Sequence, residues 1–363
     1  MRLAPRRIGA GERIRVMVVD DSVVIRRLVT HALEQEPRIE VVGAASNGKL
    51  GLDRIPQWNP DLITLDIEMP EMDGISMLRE LQSRFPRIRV VMLSSLTERG
   101  AASTLEALGA GADDYVGKIA GGGSTEQSMV RLGLELIPKI LQFFPQPAPP
   151  PPPHRPLLKR QVRGFAPLPR LLTIGVSTGG PSALAELLPN LPANFPLPVL
   201  VVQHMPPMFT RSLAERLNAS CPLAVAEARA GMPVAPGTVL IAPGDYHMRV
   251  TGKMADIRIA LDQEPAVNSC RPSVDVLWHS LAECCGGAVL AVILTGMGQD
   301  GANGAAALSA RGARIFAQDE ASSVVWGMPG AVVRAGLADR VAALAELPGA
   351  ILSFVQTALG TLA

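Results

Sequence analysis

One stretch limits every reading of this chain: Ala148 to Pro156 runs A-P-P-P-P-P-H-R-P. Consecutive prolines fix φ, donate no backbone N–H and favour an extended, fairly stiff spacer without internal hydrogen bonds. Such a run has no place inside a packed domain. A chain of 363 residues is also too long for one ordinary core, so the spacer divides two folded parts. The reading is a first domain at residues 13–144, a proline-rich linker at 145–167 and a second domain at 168–363.

Aromatic residues make up only 4% of the chain against 48% hydrophobic overall, so both cores must be built mainly from Val, Leu, Ile and Ala. Those residues fall into short runs that alternate with helical segments. In the first domain the runs are Arg15–Val19, Val41–Ala45, Leu62–Asp66, Arg89–Leu93 and Tyr115–Val116. Between and after them lie the helical segments Val23–Glu36, Lys49–Gln57, Ile75–Arg84, Ala102–Leu108 and Ser128–Gln142. Strand–helix units in series imply a doubly wound parallel α/β sheet, with its ligand site at the carboxyl ends of the strands. The second domain alternates too, with strands at Leu171–Val176, Pro198–Gln203, Thr238–Ala242, Ala288–Thr295 and Arg314–Gln318. His247–Leu261 reads instead as a β-hairpin with Gly252 near its turn.

Asp20 and Asp21 follow the first strand and Asp66 closes the third, which brings three carboxylates to one sheet edge. Their mutual repulsion calls for a cation, and hard oxygen ligands with open positions suit Mg²⁺, which also binds phosphate. Lys118, after the fifth strand, can reach the same pocket and meet a phosphoryl oxygen, and Ser94 places a hydroxyl at the end of the fourth.

In the second domain Thr173–Pro181 reads T-I-G-V-S-T-G-G-P: a strand runs into small residues, and Pro181 then opens a helix. The G-V-S-T-G within it matches the nucleophile-elbow pattern G-x-S-x-G, but a glycine-rich turn after a first strand is also a phosphate-binding device. His204 ends the second strand and Asp300 follows a later one. A serine becomes a useful nucleophile when an imidazole takes its proton and a carboxylate holds that imidazole's tautomer, so Ser177, His204 and Asp300 form a candidate triad. The order Ser, His, Asp differs from that of α/β-hydrolases and argues against an ordinary lipase or esterase. Of the remaining histidines, His31 lies in a helix of the first domain and His154 in the linker. His247 and His279 are read as structural.

Two sets of motifs carry a family resemblance. V-V-D-D-S at Val18–Ser22, L-D-I-E-M-P-E-M-D-G at Leu65–Gly74, S-S-L-T at Ser94–Thr97 and D-Y-V-G-K at Asp114–Lys118 resemble two-component receiver domains. That resemblance implies a flavodoxin-like domain in which Asp66 takes a phosphoryl group from a histidine kinase. Asp20, Asp21, Asp66 and the Glu68 backbone carbonyl would hold Mg²⁺, with Ser94 and Tyr115 at the switch positions and Lys118 on the phosphoryl group. One departure is that receivers usually place Pro after the lysine, where this chain has Ile119 and then A-G-G-G.

I-G-V-S-T-G-G-P, V-Q-H-M-P-P-M-F-T, N-S-C-R-P-S-V-D-V-L and L-T-G-M-G-Q-D-G together resemble the CheB-type chemotaxis receptor methylesterases. The resemblance implies a Rossmann-like catalytic domain that demethylates glutamyl methyl esters on the cytoplasmic helices of methyl-accepting receptors and deamidates specific glutamines, with no cofactor for the esterase. Ser177 would be the nucleophile, His204 the general base and acid, and Asp300 its orienting carboxylate, with backbone N–H groups near Met297 as the oxyanion hole. Cys270 stands where the family often has His.

Other function classes fit poorly. A formal net charge of +1 gives no electrostatic argument for nucleic acid or an anionic membrane. A transcriptional regulator would end in a basic helix-turn-helix rather than an α/β domain, and a phospho-dependent adaptor with a vestigial triad is the remaining alternative. The cysteines at 221, 270, 284 and 285 form no C-x-x-C pair, which points to thiols in a reducing compartment. No apolar run is long enough to span a bilayer and no secretory leader is apparent, so a cytoplasmic protein is expected.

Overall fold

The computed structural model describes residues 5–6, 8–9, 11–95, 97–118, 125–145, 167–253 and 256–360. The chain divides into two compact units, residues 1–151 and 152–363. The proline run, His154, Ile119 and the A-G-G-G segment lie outside the described residues.

The first unit contains β1 (Ile14–Val19), α1 (Val23–Glu34), β2 (Ile39–Ala45), α2 (Gly48–Trp58), β3 (Leu62–Asp66), α3 (Gly74–Arg84), β4 (Arg89–Ser94), α4 (Glu98–Gly109), β5 (Asp114–Gly117) and α5 (Thr125–Leu141). Its sheet is parallel with order β2-β1-β3-β4-β5, the doubly wound arrangement expected from the alternation. Strands β3, β4 and β5 are buried along their whole length, as strands covered on both faces must be. The helices start where polar side chains can accept their free N–H groups. Ser22 accepts from Ile25 N, Asn47 from Leu50 N, Asp73 from Ser76 N and Thr97 from Gly100 N. The Thr97 cap explains why α4 begins at Glu98, four residues earlier than the apolar periodicity alone suggests.

The second unit contains β6 (Leu171–Val176), α6 (Gly180–Leu187), β7 (Val199–Gln203), α7 (Pro207–Asn218), β8 (Ala224–Glu227), β9 (Thr238–Ile241), β10 (His247–Lys253), β11 (Asp256–Asp262), α8 (Val274–Cys284), β12 (Val289–Ile293), α9 (Ala302–Ala310), β13 (Arg314–Gln318), α10 (Met328–Arg334), β14 (Arg340–Ala342) and α11 (Leu347–Leu359). Seven strands form one parallel sheet in the order β14-β13-β12-β6-β7-β9-β8, while β10 and β11 pair antiparallel as the expected hairpin. The sequence reading found five of the seven. It missed β8 and β14, which sit at the two sheet edges, are four and three residues long and are partly exposed, so neither carries a continuous apolar run.

Strand order reverses at β6, which has β12 on one side and β7 on the other. Its carboxyl end is therefore the crevice where doubly wound sheets place their sites. Trp278 of α8 anchors the core behind that crevice: it is wholly buried, and its indole N–H donates to Thr173 Oγ1 on β6 over 3.0 Å. Among the described residues no helix is long and apolar enough to cross a membrane.

Glycine at position 74 is a steric requirement, because a Cβ there would overlap the backbone carbonyl of Asp66, while Gly74 N donates to Ile67 O over 2.9 Å. Gly74→Ala is therefore expected to push the loop after β3 outward and cost about 1–3 kcal/mol. Thermal unfolding of the full chain checks this, and a melting profile like the parent's would show that the loop yields without cost.

Candidate active site and phosphoacceptor site

The carboxyl edge of the first sheet holds a cavity of about 290 Å³ lined by Asp21, Asp66, Ile67, Glu68, Ser95, Gly100, Ser103 and Lys118. Asp20 and Asp66 are buried there and Asp21 is exposed. Oxygens of all three carboxylates lie within 4.8 Å of one another, a hard-oxygen donor set that fits Mg²⁺. Lys118 Nζ reaches both buried carboxylates, at 2.9 Å from Asp20 Oδ2 and 2.7 Å from Asp66 Oδ2. Burial pushes the Asp66 pKa up and the charge of Asp20 adds to this, with the Lys118 ammonium opposing. For Lys118 burial acts downward, but its bonds to Asp66 and Asp20 outweigh it and the pKa rises. The lysine thus already stands beside the oxygen that would carry a phosphoryl group.

The switch residues stand differently. Ser94 is wholly buried, and its hydroxyl faces α4, with Thr104 Oγ1 at 2.5 Å and the Gly100 carbonyl at 3.3 Å. The serine that lines the cavity is its neighbour Ser95. The hydroxyl expected in this pocket was that of Ser94, which closes β4; it is buried against α4 instead, and the next residue along the chain lines the cavity. Tyr115 is buried, with its ring 4.8 Å from Lys139 Nζ, and burial pushes the phenol pKa well up. The Glu68 side chain is exposed and pairs with Arg99 at 3.6 Å, so only its backbone carbonyl is a candidate ligand.

In the second unit, Ser177, His204 and Asp300 follow β6, β7 and β12, three adjacent strands. Ser177 begins a tight turn in which its carbonyl accepts Gly180 N at 2.8 Å and Gly179 takes a left-handed φ of 78°. Gln203, the last residue of β7, is buried, and its amide Nε2 donates both to Ser177 O (3.0 Å) and to His204 O (3.3 Å). It thus ties the backbones of the two residues together. A Cβ at Gly180 would overlap Gln203 Oε1, so the glycine three residues after the serine makes room for that amide.

His204 Nε2 lies 2.8 Å from Asp300 Oδ2. Asp300 is buried and accepts four further hydrogen bonds: Val274 N at 2.6 Å, Ser273 Oγ at 2.8 Å, Asn268 Nδ2 at 2.9 Å and Asp275 N at 3.2 Å. Two of these donors are the first free N–H groups of α8, so the carboxylate also caps a helix N-terminus. Burial acts against the charge of Asp300, but the His204 bond and charge and the Asn268 and Ser273 bonds outweigh it, bringing its pKa down to about 2. Burial likewise acts downward on His204, but its bonds to Asp300 and Cys270 lift the pKa to about 9.

The other imidazole nitrogen, Nδ1, lies 3.5 Å from Cys270 Sγ. Among the described residues Ser177 Oγ makes no hydrogen bond, to His204 or elsewhere. With Nε2 on Asp300, Nδ1 is the ring nitrogen not engaged by the carboxylate, and the Cys270 thiol stands beside it. In the loop after β12, the Gly296 carbonyl accepts Gly327 N and Met328 N, while Met297 N has no acceptor among the described residues. That N–H is free to meet an oxyanion. Asn268, Ser273 and Gln203 were present in the quoted motifs without an assigned role; their chemistry becomes visible only once distant segments meet. His247 is wholly buried with Nε2 on Pro265 O at 3.1 Å, the structural use expected of it.

Comparison with known proteins places both halves. Residues 172–351 match the CheB methylesterase family model, and residues 16–124 match the response regulator receiver domain. A relative from Nocardioides sp., named protein-glutamate methylesterase/protein-glutamine glutaminase, is 52% identical over 93% of this chain and 94% of its own length. One of the same name from Trichodesmium erythraeum is 45% identical over 92% of this chain and 97% of its own. The crystal structure of the Thermotoga maritima CheB methylesterase catalytic domain matches with a TM-score of 0.51 at 43% identity, covering 52% of this chain and 99% of that one.

Ser177 can hand its proton only to a neutral imidazole, so kcat/KM for ester hydrolysis is expected to climb with pH toward about 9, the pKa of His204. Cys270→Ala removes one of the groups that raise it, and the acid limb of the pH–kcat/KM profile then moves to lower pH. A limb that stays in place would show that the thiol does not govern the titration of His204.

Proposed function

Because the chain belongs to the CheB methylesterase family and carries a receiver at its N-terminal end, we propose that Ser177, His204 and Asp300 hydrolyse glutamyl methyl esters on receptors under the control of Asp66 phosphorylation. The observation that carries this is the His204–Asp300 bond of 2.8 Å beside the Ser177 turn, at the reversal point of the sheet.

The protein acts as a protein-glutamate methylesterase and protein-glutamine glutaminase. Ser177 Oγ attacks the ester carbonyl and gives its proton to His204 Nδ1. The imidazolium is held by Asp300 through Nε2. The developing oxyanion is met by Met297 N, a kind of donor whose loss typically costs about 10²–10³-fold in turnover. His204 then returns the proton to the departing methoxide, and methanol leaves an acyl-enzyme on Ser177. Water, deprotonated by His204, attacks the acyl carbon, the bond to Ser177 Oγ breaks with return of that proton from His204 to Oγ, and the glutamate side chain leaves. With a glutamine substrate the same steps expel ammonia.

Regulation begins in the cavity around Asp66. The phosphoryl group comes from a histidine kinase and joins the Asp66 carboxylate, with Lys118 Nζ positioned to pair with its oxygens. Asp20, Asp21 and Asp66, with the Glu68 carbonyl, would hold Mg²⁺, which neutralises charge on the phosphoryl oxygens. Ser94 is bonded to Thr104 and the Gly100 carbonyl, so turning its hydroxyl toward the phosphoryl group releases α4. Tyr115, on the neighbouring strand, adjusts with it, and the population of receiver conformers shifts. The substrates are cytoplasmic helices of methyl-accepting receptors, so the proposed place of action is the cytoplasm.

Ser177→Ala is expected to lower methanol release from a methylated receptor fragment by at least about 10³-fold. Asp66→Asn is expected to lose the stimulation that a small phosphodonor gives the parent protein. Persistent hydrolysis in the first variant would remove Ser177 as nucleophile, and full stimulation in the second would remove Asp66 as the acceptor.

A further inference from the structure

We infer that Asn268 is a positioning residue for the hydrolase: its side-chain amide divides its two hydrogens between the carboxylates of Asp300 and Asp275, keeping Asp300 charged and aimed at His204. This rests on the reading of Asp300 as the partner of His204.

Asn268 Nδ2 lies 2.9 Å from Asp300 Oδ1 and 2.9 Å from Asp275 Oδ2. Both carboxyl groups are 2% exposed; Asp300 has the His204 imidazole in contact, and among the described residues no basic side chain forms an ion pair with Asp275. Two buried carboxylates in one site repel, and the cheapest relief is for one to take up a proton. Asp275 shows that pressure, since burial and the charge of Asp300 both push its pKa up, against its bonds to Gly304 N and Asn268. A neutral amide whose two N–H bonds diverge from one nitrogen serves both carboxylates at once without adding charge.

The backbone is shaped for this purpose. Asn268 and Ser269 take left-handed φ values of 52° and 62°, turning the chain back so that the amide enters the site while Cys270 meets His204. Asn, Asp and Gly tolerate that conformation best. The titratable groups facing the cluster are His204 from the β7 edge, Cys270 from the loop of Asn268 itself, and Asp275 with His279 from α8.

Two substitutions fit the left-handed backbone and separate positioning from folding. Asn268→Asp keeps the shape but replaces the shared donors by a third carboxyl; Asn268→Gly keeps the turn and removes the amide. In full-length protein with labelled histidine, NMR titration of the His204 ring and the pH profile of kcat/KM are read together, with thermal melts as a check on folding. Asn268→Asp is expected to raise the His204 pKa and the acid limb by about one unit. Asn268→Gly is expected to lower kcat about 10- to 100-fold with KM nearly unchanged.

If Asn268→Gly does not fold, the ring titration of Asn268→Asp decides alone. An unmoved His204 titration in Asn268→Asp overturns the inference, as does an equal loss in both variants at every pH. If the parent hydrolyses no ester while the titration moves as expected, the positioning stands and the esterase reading falls.

Discussion

Buried carboxylates need partners, since an unpaired charge cut off from water costs several kcal/mol. Each unit of this chain meets that demand at the carboxyl edge of its sheet, and each meets it differently. In the receiver a single ammonium, Lys118, bridges Asp20 and Asp66. The hydrolase instead surrounds Asp300 with the His204 imidazole, one amide, one hydroxyl and two N–H groups of a helix start. The first arrangement leaves open space beside the charge, which is what the proposed phosphorylation of Asp66 needs. The second encloses the charge and hands its influence on through an imidazole, as a relay requires.

That enclosure has a chemical consequence for the imidazole. A carboxylate held near pKa 2 and a histidine held near 9 form an ion pair that is comfortable across the neutral range. Its contribution to stability is fully present above the unfolded carboxylate's pKa and below the unfolded histidine's, and it fades as pH rises through about 9. The neutral imidazole that the proposed transfer from Ser177 needs is thus the less populated form at neutral pH. Strong orientation of the base is bought with part of its availability, and the Cys270 thiol at 3.5 Å adds to the same balance.

Much of this was legible in the amino-acid order. The fully buried strands β3, β6, β7 and β12 announce themselves as apolar runs, and the residues that follow them at the sheet edge are the ones that carry chemistry. Strands β8 and β14 were not legible, because an edge strand only three or four residues long needs no unbroken apolar run. Ser94 was the serine expected in the cavity, but it ends β4 buried against α4 and its neighbour Ser95 lines the space, a difference that depends on how the chain leaves the strand. Nor could the sequence reveal that Asn268, thirty-two positions from Asp300, completes its hydrogen-bond shell, since nothing local marks a donor whose acceptors lie in other segments.

Gln203 and Gly180 show how such a shell restrains descent as well as catalysis. The amide occupies the volume that any side chain at 180 would need, and its carbonyl oxygen is left buried without a partner among the described residues. Neither position can drift by itself. A larger residue at 180 arriving first strikes the amide, whereas a smaller residue at 203 arriving first frees the serine's carbonyl from the histidine's. The two positions are therefore expected to change, in any lineage where they change at all, as a pair.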